Sequence, residues 1–307
     1  MTLASSPFRY EGADGVALAG FRWATPGAPR AILQLAHGAG EHSGRYLEPL
    51  APILAAGFAL YASDHRGHGL TSGMSHLGDF GPGGAPACVA DMAELSKLAR
   101  AEYPGLPLVL MGHSMGAMFA QAYLLEYSGL IDALVLSGTT GPGPRLPGGP
   151  NSVFANPRTA YDWLSRDEAE VDRYIADPFC GIQFTEASMA SFVALRSREL
   201  SAEALAGVKR GLPIYVIVGD EDPINRRLEG LKPLIESYRG AGLDVTLKVY
   251  PGGRHEMLNE TNRAQVVANL LDWLEECCQR KALGSGFAPQ LPRFSGSSHQ
   301  SSKKHEG

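Results

Sequence analysis

The stretch that most constrains this chain is Val109-Leu110-Met111-Gly112-His113-Ser114-Met115-Gly116-Ala117-Met118-Phe119. An apolar, β-favouring run enters a Gly-x-Ser-x-Gly turn and leaves as a small-residue segment compatible with a helix. This is the form of a nucleophile elbow, where a sharp strand-to-helix turn holds a serine in strained backbone and exposes its hydroxyl. Gly112 and Gly116 suit such a turn because strand and helix would pass too close for a Cβ at either position. Ser114 would stand at the N-terminus of the following helix, whose dipole favours a developing negative charge. Five residues also match this pattern by coincidence in ordinary loops, so the rest of the chain must supply a base, an acid and an oxyanion hole.

The surrounding sequence supplies a fold for such a turn. Residues 8–24 alternate around Ala13-Asp14-Gly15, with Phe8, Tyr10, Val16, Leu18, Phe21 and Trp23 as the apolar members, and predict an antiparallel hairpin at one sheet edge. Four short, nearly continuous apolar strands follow at 31–36, 58–63, 108–111 and 133–137, as expected for strands buried on both faces. Helical segments separate them; Cys88, Met92, Leu95 and Ala99 trace one apolar stripe. The alternation predicts an α/β protein with a mainly parallel central sheet, helices on both faces and a site at the strands' carboxyl ends.

After Ser137 the alternation stops. Residues 138–150 are rich in Gly and Pro, and the stretches 160–176 and 187–205 look helical with no strand between them. Strands resume at 212–218 and 245–249, and a closing helix over 262–277 presents Val267, Leu270, Leu271 and Leu274. The sequence therefore predicts a core of residues 1–138 and 209–282 with a helical cap inserted at 139–208. The tail at 283–307, rich in Ser, Gly, Pro and Lys, is expected to be disordered. A chain of 307 residues with 44% apolar content suits such a core plus an insertion.

Composition excludes several classes of partner. A formal charge of −5 gives no reason to expect nucleic acid or an anionic membrane as the main partner. No apolar run approaches the roughly eighteen residues of a membrane span, and residues 1–11 carry neither a basic nor an apolar signal region. Cys88, Cys180, Cys277 and Cys278 have no metal-binding spacing, and free thiols in a reducing cytoplasm are their simplest reading.

A serine hydroxyl needs a base. Of nine histidines, His255 lies in Pro251-Gly252-Gly253-Arg254-His255-Glu256, between the last strand and the closing helix, where a loop overhangs the sheet's carboxyl edge. His113 lies inside the elbow and is expected to point away from the serine. The acid that orients the base should come from Val218-Gly219-Asp220-Glu221-Asp222-Pro223. Asp222 is placed to turn inward before Pro223; Asp220 is the second candidate, and Glu221 is expected to face solvent. The order Ser114, Asp222, His255 is that of α/β-hydrolases rather than of trypsin-like or subtilisin-like enzymes. Oxyanion donors are expected from the N–H of Met115 and from that of Ala39, where Gly38 lets the backbone approach closely. His37, His42, His65 and His68 invite a metal reading, but the sequence lacks HExxH, paired cysteines and the H-x-H-x-D-H pattern, so they are read as braces for the site loops.

Taken together, the segments His37-Gly38-Ala39-Gly40-Glu41-His42-Ser43-Gly44-Arg45-Tyr46, Asp64-His65-Arg66-Gly67-His68-Gly69, 112–116, 219–222 and 252–256 resemble the monoacylglycerol lipase / lysophospholipase family of α/β-hydrolases, also described as serine aminopeptidase-like hydrolases. Tyr161-Asp162-Trp163-Leu164-Ser165-Arg166-Asp167 and Asp177-Pro178-Phe179-Cys180-Gly181 resemble its bacterial members, and the likeness spans about residues 8–280. The resemblance implies Ser114 as nucleophile, His255 as base, Asp222 as acid, Ala39 and Met115 as oxyanion donors, and a cap that forms an apolar acyl tunnel. The expected chemistry needs no metal or organic cofactor.

The expected activity is serine-dependent hydrolysis of carboxylic esters, with a monoacylglycerol or lysophospholipid as the small-molecule substrate. A short- or medium-chain carboxylesterase and a peptidase or amidase are the alternatives on the same triad. A dehalogenase or epoxide hydrolase would need an aspartate where Ser114 stands, and a catalytically silent binding module would not need an intact triad. Weak peripheral contact of the cap with a lipid surface belongs to the expectation, although no amphipathic basic helix marks it. Acyl length, head group and oligomeric state stay open.

Overall fold

The computed structural model describes residues 5–143 and 147–282; the expected disorder of 283–307 lies outside the described residues. Strands β1 (Ser5–Glu11) and β2 (Ala17–Trp23) form the hairpin, with Tyr10 opposite Leu18. Strand β3 (Ala31–Ala36), helix α1 (Leu47–Ala55), strand β4 (Phe58–Ser63) and helices α2 (Gly69–Ser72) and α3 (Gly84–Glu102) follow. Then come β5 (Leu108–His113), α4 (Met115–Tyr127) and β6 (Ala133–Ser137). Helices α5 (Glu168–Ala176) and α6 (Glu186–Arg196) precede β7 (Pro213–Gly219). Helix α7 (Lys232–Gly240), strand β8 (Asp244–Tyr250) and helix α8 (Arg263–Ala282) complete the described chain.

The eight strands form one sheet in the order β1-β2-β4-β3-β5-β6-β7-β8. The pairings β1–β2 and β2–β4 are antiparallel, and every pairing from β4 across to β8 is parallel. This is the α/β-hydrolase architecture that the sequence led us to expect.

The continuous apolar runs follow from a sheet covered on both sides. Along β5, Leu108 and Leu110 join the core beneath α3, α4 and α7, with Cys88, Phe119 and Tyr238. Val109 and Met111 join the opposite core, with Leu50 and Ile53 of α1 and Val266 and Leu270 of α8. A strand period of two therefore feeds two separate cores. Cys88, Met92, Leu95 and Ala99 are all buried, as their spacing in α3 requires.

Between β6 and β7 the expected helices are shorter than their patterns. The stretch 160–176 is helical only from Glu168, because the preceding residues spend their backbone on another loop: Leu164 O accepts from Glu256 N–H at 2.7 Å. Asp167 then starts α5 by accepting from Ala169 N–H at 3.1 Å. Helix α6 ends at Arg196 rather than at 205, and the Ser197 hydroxyl bonds back to Val193 O at 2.7 Å. The closing helix, in contrast, extends past residue 277 to Ala282.

Candidate active site

Strand β5 runs straight into α4 through Ser114, whose backbone stands at φ 52 and ψ −114. A non-glycine residue with positive φ is strained, and here the surroundings enforce it. A Cβ at Gly116 would stand 2.1 Å from Ala36 O, and one at Gly112 would stand 2.4 Å from Gly116 O. The two glycines are thus required by contact with neighbouring backbone, and the turn they permit leaves Ser114 partly exposed at the sheet's carboxyl edge.

His255 hangs from the loop after β8 and is 1% exposed. Its Nε2 lies 2.8 Å from Ser114 Oγ and its Nδ1 lies 3.0 Å from Asp222 Oδ2. Asp222 is fully buried after β7; its Oδ1 accepts from Ile224 N–H at 2.8 Å, and Asn225 Nδ2 stands 3.4 Å from Oδ2. Burial opposes the charged form of His255, but the charge and hydrogen bond of Asp222, with Glu256 and Glu41 behind, outweigh it and raise its pKa. The structure thus brings together Ser114, His255 and Asp222. Asp220 faces elsewhere and accepts from Gly252 N–H at 2.6 Å, while Glu221 pairs with Arg227 at 2.9 Å on the half-exposed surface.

His113 points away from Ser114, as expected. Its Nδ1 lies 3.2 Å from Ser137 Oγ, and burial followed by the proximity of His255 lowers its pKa to about 4. Ala39 and Met115 line one cavity with Ser114, of about 280 Å³. The amides flanking Ala39 are already engaged: Gly38 N–H donates to Glu41 at 2.5 Å and Gly40 N–H to His68 Nε2 at 3.2 Å. In α4 the first-turn N–H of Met115 has no intrahelical acceptor, since helix geometry offers none there.

The same cavity is walled by Met118, Trp163, Phe192, Pro223 and Ile224, with Arg196 and Arg226 among its lining residues. A larger groove, about 580 Å³, lies between α1 and α8 and includes none of Ser114, His255 or Asp222. Trp163 packs its ring 4.9 Å from that of His255. The covering segment also grips the loop after β3: Gly40 O accepts from Tyr174 Oη at 2.8 Å and from Gly181 N–H at 2.9 Å.

The residues that sequence reasoning passed over form a buried ionic brace. Glu41 accepts from Gly38 N–H, from Tyr46 Oη at 2.6 Å and from Arg45 at 2.5 Å. Arg45 reaches on to Glu256 with two bonds of 2.7 and 2.8 Å, so one guanidinium ties the loop after β3 to the loop that carries His255. Burial works against the charge on Glu256, but Arg45 outweighs it and holds the pKa at about 2. Glu41 is lowered by the same balance. The available signal was the spacing of four between Glu41 and Arg45, together with a charged residue next to His255.

His37, His65 and His68 act as neutral braces. His37 Nε2 accepts from His65 N–H at 3.0 Å, and burial lowers the pKa of all three, that of His68 to about 3. Among the described residues the one group with metal-ligating atoms within 4.8 Å of one another is His42, Asp177 and Cys180. There His42 Nε2 is 2.9 Å from Asp177 Oδ2 and its Nδ1 accepts from Gly44 N–H at 3.2 Å, so both ring nitrogens have protein partners.

The fold and the serine at its elbow define an α/β-hydrolase, and comparison with known proteins narrows that class. Residues 27–262 match the family described as "Serine aminopeptidase, S33". A monoacylglycerol lipase of Mycolicibacterium smegmatis is 33% identical over 286 residues, which cover 88% of this chain and 96% of that protein. The monoglyceride lipase of Homo sapiens is 31% identical over 282 residues, 81% of this chain and 82% of its own length. A thermostable carboxyl esterase from Bacillus coagulans, solved in complex with glycerol, has a TM-score of 0.83 at 29% identity, covering 90% of this chain and 100% of that one. The chain belongs to the monoacylglycerol lipase / lysophospholipase (serine aminopeptidase-like) family of α/β-hydrolases, a family of carboxylic ester hydrolases. Among the described residues no helix is long and apolar enough to cross a membrane.

Proposed function

We propose that this enzyme hydrolyses carboxylic esters of fatty acids through an acyl-enzyme on Ser114, with monoacylglycerols or lysophospholipids as substrates. The observation that carries the proposal is His255, spanning 2.8 Å to Ser114 Oγ and 3.0 Å to Asp222 Oδ2 beside an apolar cavity. Ser114 Oγ attacks the ester carbonyl while its proton passes to His255 Nε2, and Asp222 stabilises the imidazolium. The N–H groups of Ala39 and Met115 hold the tetrahedral oxyanion. Its collapse expels the alcohol, which takes the proton from His255. A water molecule, deprotonated by His255, then attacks the acyl-enzyme; collapse releases the fatty acid as His255 returns the proton to Ser114 Oγ. No step calls for a metal or an organic cofactor.

The segment 139–208 serves as the cap in this reading. Trp163 and Phe192 supply part of the acyl-binding wall, and Tyr174 and Gly181 hold the oxyanion loop from above. The four unpaired cysteines support a cytoplasmic location.

The family description raises a peptidase reading. An aminopeptidase must hold a substrate's free ammonium, and a carboxylate is the natural partner for it. Among the described residues, those lining the cavity at Ser114 include two arginines and no Asp or Glu, which favours ester over aminopeptide substrates. The test is a chain-length series of monoacylglycerols and p-nitrophenyl esters beside lysophosphatidylcholine and aminoacyl anilides. Turnover peaking on medium- to long-chain glycerol esters or lysophospholipid is expected. A peak at acetate or butyrate would make this a general carboxylesterase, and faster turnover of the anilides would overturn the proposal.

A further inference from the structure

The cavity beside Ser114 carries a charge that ester hydrolysis does not need. Arg196 and Arg226 both line it, and both are partly buried. They converge on Gly143. Arg196 Nη2 donates to Gly143 O at 2.8 Å, and a Cβ at Gly143 would stand 3.0 Å from Arg226 Nη2 and 3.3 Å from its Nη1. A side chain at Gly143 would crowd the second guanidinium and push it by a few tenths of an ångström.

Arg226 is also aimed there at a conformational cost. Arg226, Arg227 and Leu228 have φ of 55, 50 and 75, three successive residues in the left-handed region that L side chains avoid. The turn is pinned by buried Asn225, whose Oδ1 accepts from Leu228 N–H at 2.8 Å and whose O accepts from Gly230 N–H at 2.8 Å. Asp222 O accepts from Arg227 N–H at 3.2 Å, so the turn hangs directly from the residue that orients His255. Arg227, next along, pairs outward with Glu221 at 2.9 Å. Among the described residues no carboxylate pairs with Arg226, which lines the cavity without a protein counter-charge.

We propose that Arg226, with Arg196 beside it, forms an anion-recognition subsite in the cavity at Ser114, so that esters carrying a phosphate or carboxylate away from the scissile bond are preferred to neutral ones. This deepens the ester-hydrolase reading and rests on it. A planar guanidinium meets a phosphate or carboxylate through two parallel charge-assisted hydrogen bonds, which a glycerol or alkyl group does not replace. The other walls, Met118, Trp163, Phe192 and Ile224, take the hydrocarbon part. The anion reaches the subsite from either end of the substrate, as a phosphate on the alcohol or as a terminal carboxylate on the acyl group.

The test uses Ser114→Ala protein, which retains the cavity but not the nucleophile, and reads binding by calorimetry at low ionic strength. One pair of ligands is 1-octanoylglycerol and 1-octanoylglycerol-3-phosphate. The other is methyl octanoate and the monomethyl ester of octanedioic acid. The expected result is roughly tenfold tighter binding of the anionic member in at least one pair, with the responding pair identifying the source of the anion. That preference should collapse to within about twofold when Arg226→Gln is added, and reverse with Arg226→Glu. Equal affinities within both pairs, or a preference that survives Arg226→Glu, would overturn the subsite. Turnover of neutral octanoyl esters by the unmodified enzyme is read separately; its absence would contradict the ester-hydrolase reading and leave the binding comparison standing.

Discussion

At the carboxyl edge of the sheet, position is set by backbone contact, with no room for a methyl group at Gly112 or Gly116. Above it, the segment between β6 and β7 packs Phe192 and Leu195 of α6 into the core and is fastened elsewhere by polar contacts. Arg254 donates to Asp162 O at 2.5 Å, Arg166 pairs with Glu260 at 2.9 Å, and Tyr174 and Gly181 hold Gly40 O. Close-packed backbone has one arrangement, whereas a set of hydrogen bonds to partly exposed arginines can be exchanged for water. The sheet edge is therefore suited to hold reacting atoms in register. The covering segment is suited to choose what reaches them and to give way as it enters.

If the two regions divide the work in this way, changes at the edge should strike rate and changes above it should strike selectivity. The largest loss is expected for Ser114→Ala, about 10⁴-fold or more in kcat on p-nitrophenyl esters, with the thermal midpoint close to that of the parent. Asp222→Asn should lose about 10³- to 10⁴-fold. The matching change Asp220→Asn should leave kcat within a few-fold, because Asp220 only braces Gly252; equal losses from the two would break the assignment of the acid.

Glu41→Gln comes next, with an expected loss in kcat of roughly 10- to 100-fold and little change in KM, since the amide oxygen can still accept from Gly38 N–H but the amide NH2 faces Arg45 and weakens the brace of the Gly38–Ala39 backbone. It carries a pH signature as well. His255 must be neutral to accept the serine proton, so kcat/KM falls as pH drops through its pKa, which Asp222 places above the ordinary histidine value. Glu41 contributes to that elevation, so its removal should move the acid limb to lower pH. A limb that stays in place would show Glu41 acting on the fold alone.

The smallest expected effect is that of Tyr174→Phe, which removes the hydroxyl's bond to Gly40 O and the one it accepts from Gly181 N–H, each worth about 1 kcal/mol. A drop of a few degrees in the thermal midpoint, with a shift in chain-length preference, is the expected outcome. A loss of kcat as large as that of Glu41→Gln would instead make the covering segment part of the rate-determining frame.

How much of this was legible in the sequence follows from the same division. Strands β3 to β7 were readable because burial on both faces forces unbroken apolar runs, and the elbow because two glycines have no substitute there. Ser114, Asp222 and His255 could be singled out because each follows a strand and so lies at one edge. The ends of α5 and α6 were not legible: residues 160–167 have helix-compatible composition, but Leu164 O goes to a loop about ninety positions away. The brace of Glu41, Arg45 and Glu256 escaped for the same reason, since Arg45 and Glu256 are joined across 211 positions. Pairings of this kind are set by tertiary approach; the local pattern shows only Glu41 and Arg45 four positions apart and a charged residue beside His255. The left-handed turn at Arg226 has no glycine to announce it.

The most direct test of the account is the site of covalent capture. The enzyme should be treated with a fluorophosphonate, digested, and the labelled peptide located by mass spectrometry. One label is expected on Ser114, absent in Ser114→Ala and formed at least about 10³-fold more slowly in His255→Ala, where the base is missing. A label on any other residue, or undiminished labelling of Ser114 without His255, would contradict it.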